Sequence, residues 1–360
     1  MATYLDHAAT TPVRPEVAEA MLPWLTGRYG NPSGGHAVAR AARQAVEEAR
    51  DELAEALGCQ ARELVLTSGG TESDNLAIAG IGGTVACSAI EHHAVLDAVR
   101  ALGGSTIPVG PDGVVDVAAV PGDVDLVSVM LVNNEVGTVQ PVAEVARRAG
   151  GLVHTDAVQA LPWLDVAALA AEAHLVSVSA HKVGGPQGVG ALVVREGVSL
   201  TPLLRGGGQE RERRSGTHNV AGVVGFAAAV RACRASRPDV GALRARLAAG
   251  LCAVPGVRTT VDLAATVPGI LSVLIDGVES EALLVLLDRA GVCASAAASC
   301  ASGAMEASHV LSALGAPVGG ALRLSLGWTS TDADVDHALE VIPAAIEQLR
   351  QATTTVGVNG

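Results

Sequence analysis

Strand-like and helical runs alternate along the first two-thirds of this chain, and that alternation restricts the fold more than any other feature. Residues 36–57 keep helical spacing, with Ala, Val and Leu on one side and Arg and Glu on the other. Beyond them, 63–67 reads as a strand and 71–80 as a helix, then 84–88 as a strand and 92–102 as a helix. Further strands are predicted over 125–132, 151–154, 175–179 and 190–194. Alternation of this kind builds a mostly parallel sheet covered by helices, so an α/β fold is expected. A long Ala/Val-rich helix is predicted over 219–235, and Pro238 after it marks the change to a second domain. The expected division is a large domain over 14–237 and a smaller α+β domain formed by 1–13 and 238–360. The second carries strands near 269–275 and 322–325 and helices over 280–289 and 332–351.

A chain of 360 residues is long enough for both cores. Its 49% of hydrophobic residues are weighted to Ala and Val rather than aromatics, which suits helices packed closely on a sheet and argues against disorder. A formal charge of −13 does not fit a nucleic-acid binder, which carries a basic patch or stripe. No stretch approaches the roughly 20 apolar residues of a membrane span. Residues 1–6 lack the charged and apolar regions of a signal peptide, so a cytoplasmic protein is expected. The six cysteines, Cys59, Cys87, Cys233, Cys252, Cys293 and Cys300, form no C-x-x-C pair, which offers neither a zinc ribbon nor a thioredoxin motif.

Four segments carry chemistry. Residues 67–75, Thr-Ser-Gly-Gly-Thr-Glu-Ser-Asp-Asn, follow a strand and open a helix. Backbone N–H groups at such a turn face outward at the positive helix end. The turn reads either as a phosphate cradle, with Gly70 and the Thr71 hydroxyl, or as an ordinary glycine-rich connection. Asp156 lies just past a strand's carboxyl end, where open α/β sheets bind ligands; it reads either as a helix N-cap or as the partner of a cation such as a protonated pyridine nitrogen. Lys182, in Ser177-Val178-Ser179-Ala180-His181-Lys182, comes one crossover later at the same sheet edge. Desolvation there lowers a lysine's pKa and lets it form an imine. The alternative, a snorkelling surface lysine, loses ground because the chain has so few lysines and this one follows His181 and comes two residues before Gly184. Cys300 lies in an Ala/Ser/Gly-rich stretch over 295–303, which reads as a mobile, exposed thiol nucleophile or as a closely packed small-residue helix.

Together these segments resemble the cysteine desulfurases, a group of fold-type I pyridoxal-phosphate enzymes in the class V aminotransferase family that supplies sulfur for iron–sulfur clusters. The resemblance runs nearly end to end, through residues 4–12, 30–33, 67–75, 91–95 and 132–137, the Asp156 and Lys182 segments, 214–217 and 323–327. It implies a large domain with a mostly parallel seven-stranded sheet. It implies that Lys182 carries pyridoxal 5'-phosphate covalently, that Asp156 pairs with its ring nitrogen, that His92 stacks on the ring and that Gln159 bonds its hydroxyl. Gly70, Thr71, Ser179 and His181 would hold the phosphate, with Thr217 reaching the phosphate of the partner subunit in a homodimer. Asn134 and Arg323 would grip the substrate carboxylate. The implied reaction turns L-cysteine into L-alanine and leaves a persulfide on Cys300 for an acceptor such as an iron–sulfur scaffold. It needs no resident metal, although Cys300 is available as a transient iron–sulfur ligand. No direct nucleic-acid or membrane partner is implied. One departure is visible: the family pattern before the nucleophile is Ser-Gly-Ser-Ala-Cys, where this chain has Ala297, Ala298 and Ser299.

Overall fold

The computed structural model describes residues 2–296 and 308–357. In chain order the N-terminal part contains β1 (Thr3–Tyr4), α1 (Pro15–Leu25), α2 (Ala37–Ala56), β2 (Leu64–Thr67), α3 (Gly70–Ile81), β3 (Val85–Ser88) and α4 (His93–Ala101). Next come β4 (Ser105–Ile107), β5 (Leu126–Ser128), α5 (Val142–Arg148), β6 (Leu152–Asp156), α6 (Val166–Leu169), β7 (Leu175–Ser179), β8 (Gly190–Val194) and α7 (Val220–Ala235). The C-terminal part holds α8 (Gly241–Cys252), β9 (Val257–Thr259), β10 (Ile270–Ile275), α9 (Ser280–Arg289), β11 (Val292–Cys293), α10 (His309–Ala313), β12 (Ala321–Ser325) and α11 (Asp332–Gly357).

Seven strands form one sheet in the order β2-β8-β7-β6-β5-β3-β4. All pairs are parallel except those of β8, which runs antiparallel to both β2 and β7. The two-residue period of each strand divides its side chains between two cores. Leu64, Leu66, Val176 and Val178 face a core shared with Val46 and Leu53 of α2 and Phe226 of α7. Val65, Leu175, Leu192 and Val194 face the opposite core with Leu76 of α3 and Val95, Leu96 and Val99 of α4. Strands covered on both faces read as near-continuous apolar runs, and Leu175–Ser179 is buried throughout. In α2 the buried positions Ala39, Ala42, Val46, Ala49 and Leu53 recur at helical spacing, and the His36 ring accepts the Ala39 N–H at the start of the helix.

A three-stranded antiparallel sheet, in the order β12-β10-β9, forms the second layer, and β1 pairs in parallel with β11. Leu271, Val273, Leu322 and Leu324 point to a core with Leu247 and Leu251 of α8, Leu283 and Leu287 of α9, and Ile342 and Ile346 of α11. Ser272 and Arg323, paired in register between these apolar residues, point to the other face. No helix among the described residues is long and apolar enough to cross a membrane.

The strand expected over 125–132 ends at Ser128. Val129, Met130, Leu131 and Val132 are all buried, so an apolar run that resembles strand is in fact an inward loop. That loop keeps its backbone bonds to β6, with Val129 N–H donating to His154 O (3.1 Å) and Leu131 N–H to Asp156 O (2.8 Å). Helix α1 has no counterpart in the sequence reading; its proline at the first turn and Pro23 within it obscure the helical signal.

Phe226, the only phenylalanine in the chain, is fully buried where α7 meets the sheet. Phe226→Ala should destabilise the large core by about 3–5 kcal/mol, read from urea unfolding. A loss below about 1 kcal/mol would show that neighbouring side chains collapse into the vacated space.

Candidate active site

The carboxyl ends of β2, β3, β5, β6 and β7 open on one cavity of about 480 Å³. Gly70 and Thr71, His92, Asn134, Asp156, Gln159, His181 and Lys182 line it from the large sheet's edge, and Arg323 lines it from the opposite layer. Nine of the residues singled out in the sequence are therefore brought together. Ser179 sits behind the cradle, its Oγ nearest to the side of Gly69. Thr217 is exposed on another loop and does not line this cavity. Cys300 lies outside the described residues.

The cradle depends on two glycines. Gly69 takes φ of +152°, which disfavours a side chain, and Gly190 of β8 packs against it so closely that a Cβ there would fall 2.7 Å from Gly69 Cα. The N-terminal turn of α3 is thereby seated on the sheet, with its unpaired N–H groups toward the cavity.

Lys182 is the only lysine in the chain. Its Nζ donates to the carbonyls of Ala8 and Ala9, the latter at 2.9 Å. Burial, and then the positive charge of Arg323, lower its pKa to about 8 against the opposing pull of Asp156 and Asp6. Asp156 Oδ1 accepts the Val158 N–H at 2.8 Å and faces the cavity, and residues 158–163 form turns rather than a helix, so the helix N-cap reading does not hold. Burial raises the Asp156 pKa to about 6, while the Val158 bond and Lys182 restrain the rise. His92 caps α4, its Nδ1 accepting the Ala94 N–H at 3.1 Å, which leaves the proton of the neutral ring on Nε2. Burial, followed by the charge of Lys182, lowers its pKa to about 4. Gln159 Nε2 donates to Ala8 O (2.7 Å), and His181 Nδ1 meets Thr10 Oγ1 (3.1 Å). Burial and Lys182 lower the His181 pKa to about 4.

Several residues of the site had no role assigned from sequence. Asp74 is buried beside Asp156, with Oδ1 lacking a hydrogen-bond partner 3.6 Å from His154 Nε2. Burial, and then the Asp156 charge, push its pKa well above the carboxylate range, which favours the protonated form of Asp74. His154 is neutral, its pKa lowered to about 3 by burial, and it bridges Ser128 Oγ (2.8 Å) and Ser177 Oγ (2.9 Å) beneath the floor. Glu91 is fully buried, accepts the Met130 N–H at 2.6 Å and leaves Oε2 unpartnered; burial raises it strongly too. Arg323, which the sequence did single out, reaches the cavity among these residues with Nη1 on Asn134 O (2.9 Å) and Nη2 on Asp6 Oδ1 (2.8 Å). Glu135, raised to about 7 mainly by burial, accepts a 2.5 Å bond from Ser308 Oγ. The only available signal for these residues was their place beside the motif residues. A carboxylate's burial depends on contacts between segments far apart in sequence.

Both flanks of the Cys300 segment are tied to the cavity rim. Ser295 exchanges backbone hydrogen bonds with Arg323 (2.7 and 3.2 Å). On the far side, Ser308 holds Glu135, and His309 Nε2 meets Glu91 O at 2.9 Å.

The chain belongs to the aminotransferase class-V family, whose model matches residues 3–338 and whose members depend on pyridoxal phosphate. Within that family it is a cysteine desulfurase. It is 45% identical to a cysteine desulfurase of Cereibacter sphaeroides, the alignment covering 96% of each chain. It is 41% identical to the cysteine desulfurase IscS of Methanosarcina thermophila, over 97% of this chain and 93% of that one. Among solved structures it is similar to a NifS-like protein, with TM-score 0.89, 35% identity, and coverage of 96% of this chain and 100% of the other.

The lowered lysine pKa has a direct consequence for reactivity. An amine with a pKa of about 8 is mostly charged at pH 7, and its neutral fraction rises through pH 8 rather than above pH 10. In protein stripped of cofactor, competitive acetylation should find Lys182 half-reactive near pH 8. The peptide containing Lys182 can be followed by mass spectrometry. A midpoint above pH 10 would show that the amine stands in ordinary solvent.

Proposed function

We propose that this chain binds pyridoxal 5'-phosphate through Lys182, takes sulfur from L-cysteine, releases L-alanine and carries the sulfur as a Cys300 persulfide to an acceptor protein such as an iron–sulfur scaffold. The observation that carries the proposal is one cavity holding the chain's only lysine, a buried carboxylate floor and a cationic mouth at Arg323.

The residues present fit the cofactor. The floor offers the Asp156 carboxylate, supported by the Val158 N–H, which would favour a protonated ring nitrogen, and beside it the buried, unpartnered Asp74 Oδ1. The α3 N-terminus offers backbone donors and the Thr71 hydroxyl to a phosphate, with Gly70, Ser179 and His181 around it. Gln159 would meet the ring hydroxyl and His92 the ring face. When bound, pyridoxal phosphate supplies an aldehyde carbon that condenses with amines and a protonated ring that accepts electron density.

The chain's own groups do the remaining work. Lys182, displaced by substrate, is the base placed to take and return a proton, since a pKa near 8 suits transfer in both directions near neutrality. Arg323, already oriented by Asn134 O and Asp6, has N–H groups left to fork onto the substrate carboxylate, with the Asn134 side chain beside it. His92, neutral with its proton on Nε2, can donate a hydrogen bond to the reacting sulfur without adding charge to the cavity. The Cys300 thiolate attacks the substrate sulfur: an S–S bond forms, the substrate Cβ–S bond breaks, and its electron pair with a proton completes the methyl group of alanine. Sulfur is oxidised and Cβ reduced in the same exchange, so no outside oxidant is needed. Cys300 follows Ser295 by five residues, a span of at most about 17 Å of extended chain, which supports a reach into the cavity from its rim. The exposed Thr217, away from its own chain's cavity, supports a homodimer in which that hydroxyl serves the phosphate of the partner subunit.

Purified protein given L-cysteine should yield alanine and sulfide together. Cys300→Ser should keep the cofactor yet form almost no alanine or sulfide, and mass spectrometry of the brief reaction should place the extra sulfur on the Cys300 peptide. Sulfur found on Cys293, with Cys300→Ser still active, would overturn the assignment.

Asp156→Asn should retain cofactor and lose about 100- to 1000-fold in turnover, because a neutral amide does not hold the ring nitrogen protonated. Near-normal turnover would remove Asp156 from this role.

A further inference from the structure

The loop between β8 and α7 contains three successive non-glycine residues in the left-handed region: Glu210, Arg211 and Glu212, with φ of 51°, 57° and 65°. L-residues visit this region singly and rarely in series, because Cβ crowds the following carbonyl. Such a turn persists only where its surroundings over-determine it.

The surroundings here converge on the Glu210 carboxylate, which is buried. Its Oε2 accepts from Arg50 Nη1 (2.9 Å) and from the Leu66 N–H of β2 (2.8 Å). Its Oε1 accepts from Arg50 Nη2 (2.7 Å) and lies 2.6 Å from His218 Nε2. Burial alone would raise its pKa; the His218 and Arg50 bonds, the Arg50 charge and the Leu66 N–H outweigh that and hold it at about 2. A second anchor lies on the same loop. Arg214 grips Glu72 through Nε (2.7 Å) and Nη2 (3.1 Å), and Glu72 sits next to Thr71 in the first turn of α3. Gly216 and Thr217, between the anchored residues Arg214 and His218, are left exposed.

We propose that Glu210 is a positioning residue whose clamp on Arg50, β2 and His218 holds the loop so that Thr217 is presented outward, ready-oriented for the phosphate site of a second copy of the chain. The proposal rests on the reading above that Thr217 serves the partner subunit. A hydroxyl on a clamped loop loses little freedom on contact, whereas the same hydroxyl on a loose loop would have to be ordered by the phosphate it binds.

The test separates action across the dimer from action within one subunit. Glu210→Gln homodimers, folded by circular dichroism, should lose cofactor on dialysis about tenfold faster than wild type. Hybrids of Glu210→Gln and Lys182→Ala subunits, co-expressed with different tags, purified through both and dialysed until Glu210→Gln homodimers have lost their cofactor and activity, should recover to about half the wild-type activity per dimer, because one site has both its lysine and an intact partner loop. Hybrids of Thr217→Ala with Lys182→Ala are the reference. If the Thr217→Ala hybrids recover and the Glu210→Gln hybrids do not, Glu210 acts inside its own subunit and the proposal fails while the dimer reading stands. If neither recovers, the dimer reading fails and takes the proposal with it. Unchanged cofactor retention in Glu210→Gln homodimers would also overturn it. Should the Glu210→Gln chain be insoluble, Arg50→Lys, which loses the paired grip on the carboxylate, serves the same comparison with the same outcomes.

Discussion

Asp156 and Lys182 face one cavity from adjoining strand ends, and burial moves their pKa values toward each other, up to about 6 and down to about 8. Taking a carboxylate and an amine out of water penalises both charged forms, and each is sustained in part by the other's field. The deeper carboxylates, Asp74 and Glu91, have less compensation and are driven well above the usual range. Asp156 is raised least of the three, supported by both a backbone N–H and the charge of Lys182. The lowered pKa values of Lys182, His92 and His181 all follow first from this desolvation, and the cofactor fit and the base role proposed for Lys182 depend on it.

That environment exists because two layers close on each other. The large sheet supplies the floor through the loops at its carboxyl edge, and the β12 face supplies Arg323 as the other wall. The two-residue period of β12 sends Leu322 and Leu324 into one core and Arg323 toward the cavity, so a single register sets both the packing of the small layer and the position of its cation. The Cys300 segment is attached at this same seam, at Ser295 beside Arg323 and at Ser308 on Glu135. The groups proposed for substrate binding and for sulfur transfer thus share one support.

Much of this was legible in advance. Leu175–Ser179 and Gly190–Val194 have their expected bounds, since strands buried on both faces leave an unambiguous apolar run between glycine or polar breaks. The inward segment at 129–132 resembles strand in sequence because its burial and its remaining backbone bonds to β6 select the same residue types, although the regular strand ends at Ser128. Helix α1 escaped because Pro15 and Pro23 interrupt the pattern on which helices are recognised. Asp74 and Glu91 lie within recognised segments, yet nothing local distinguishes a fully buried carboxylate from a solvated one.

The sequence by itself determined the alternating α/β layout, the lysine, the aspartate and the glycine-rich turn, because these depend on short-range periodicity and on residue chemistry. Only the tertiary structure decided which carboxylates are buried and pushed upward, which face of β12 offers Arg323, and that a four-bonded Glu210 holds a left-handed turn in the loop carrying Thr217. Those outcomes depend on desolvation and on contacts between residues as far apart as Asp6 and Arg323, or Arg50 and Glu210, and the chain makes such contacts only when it is folded.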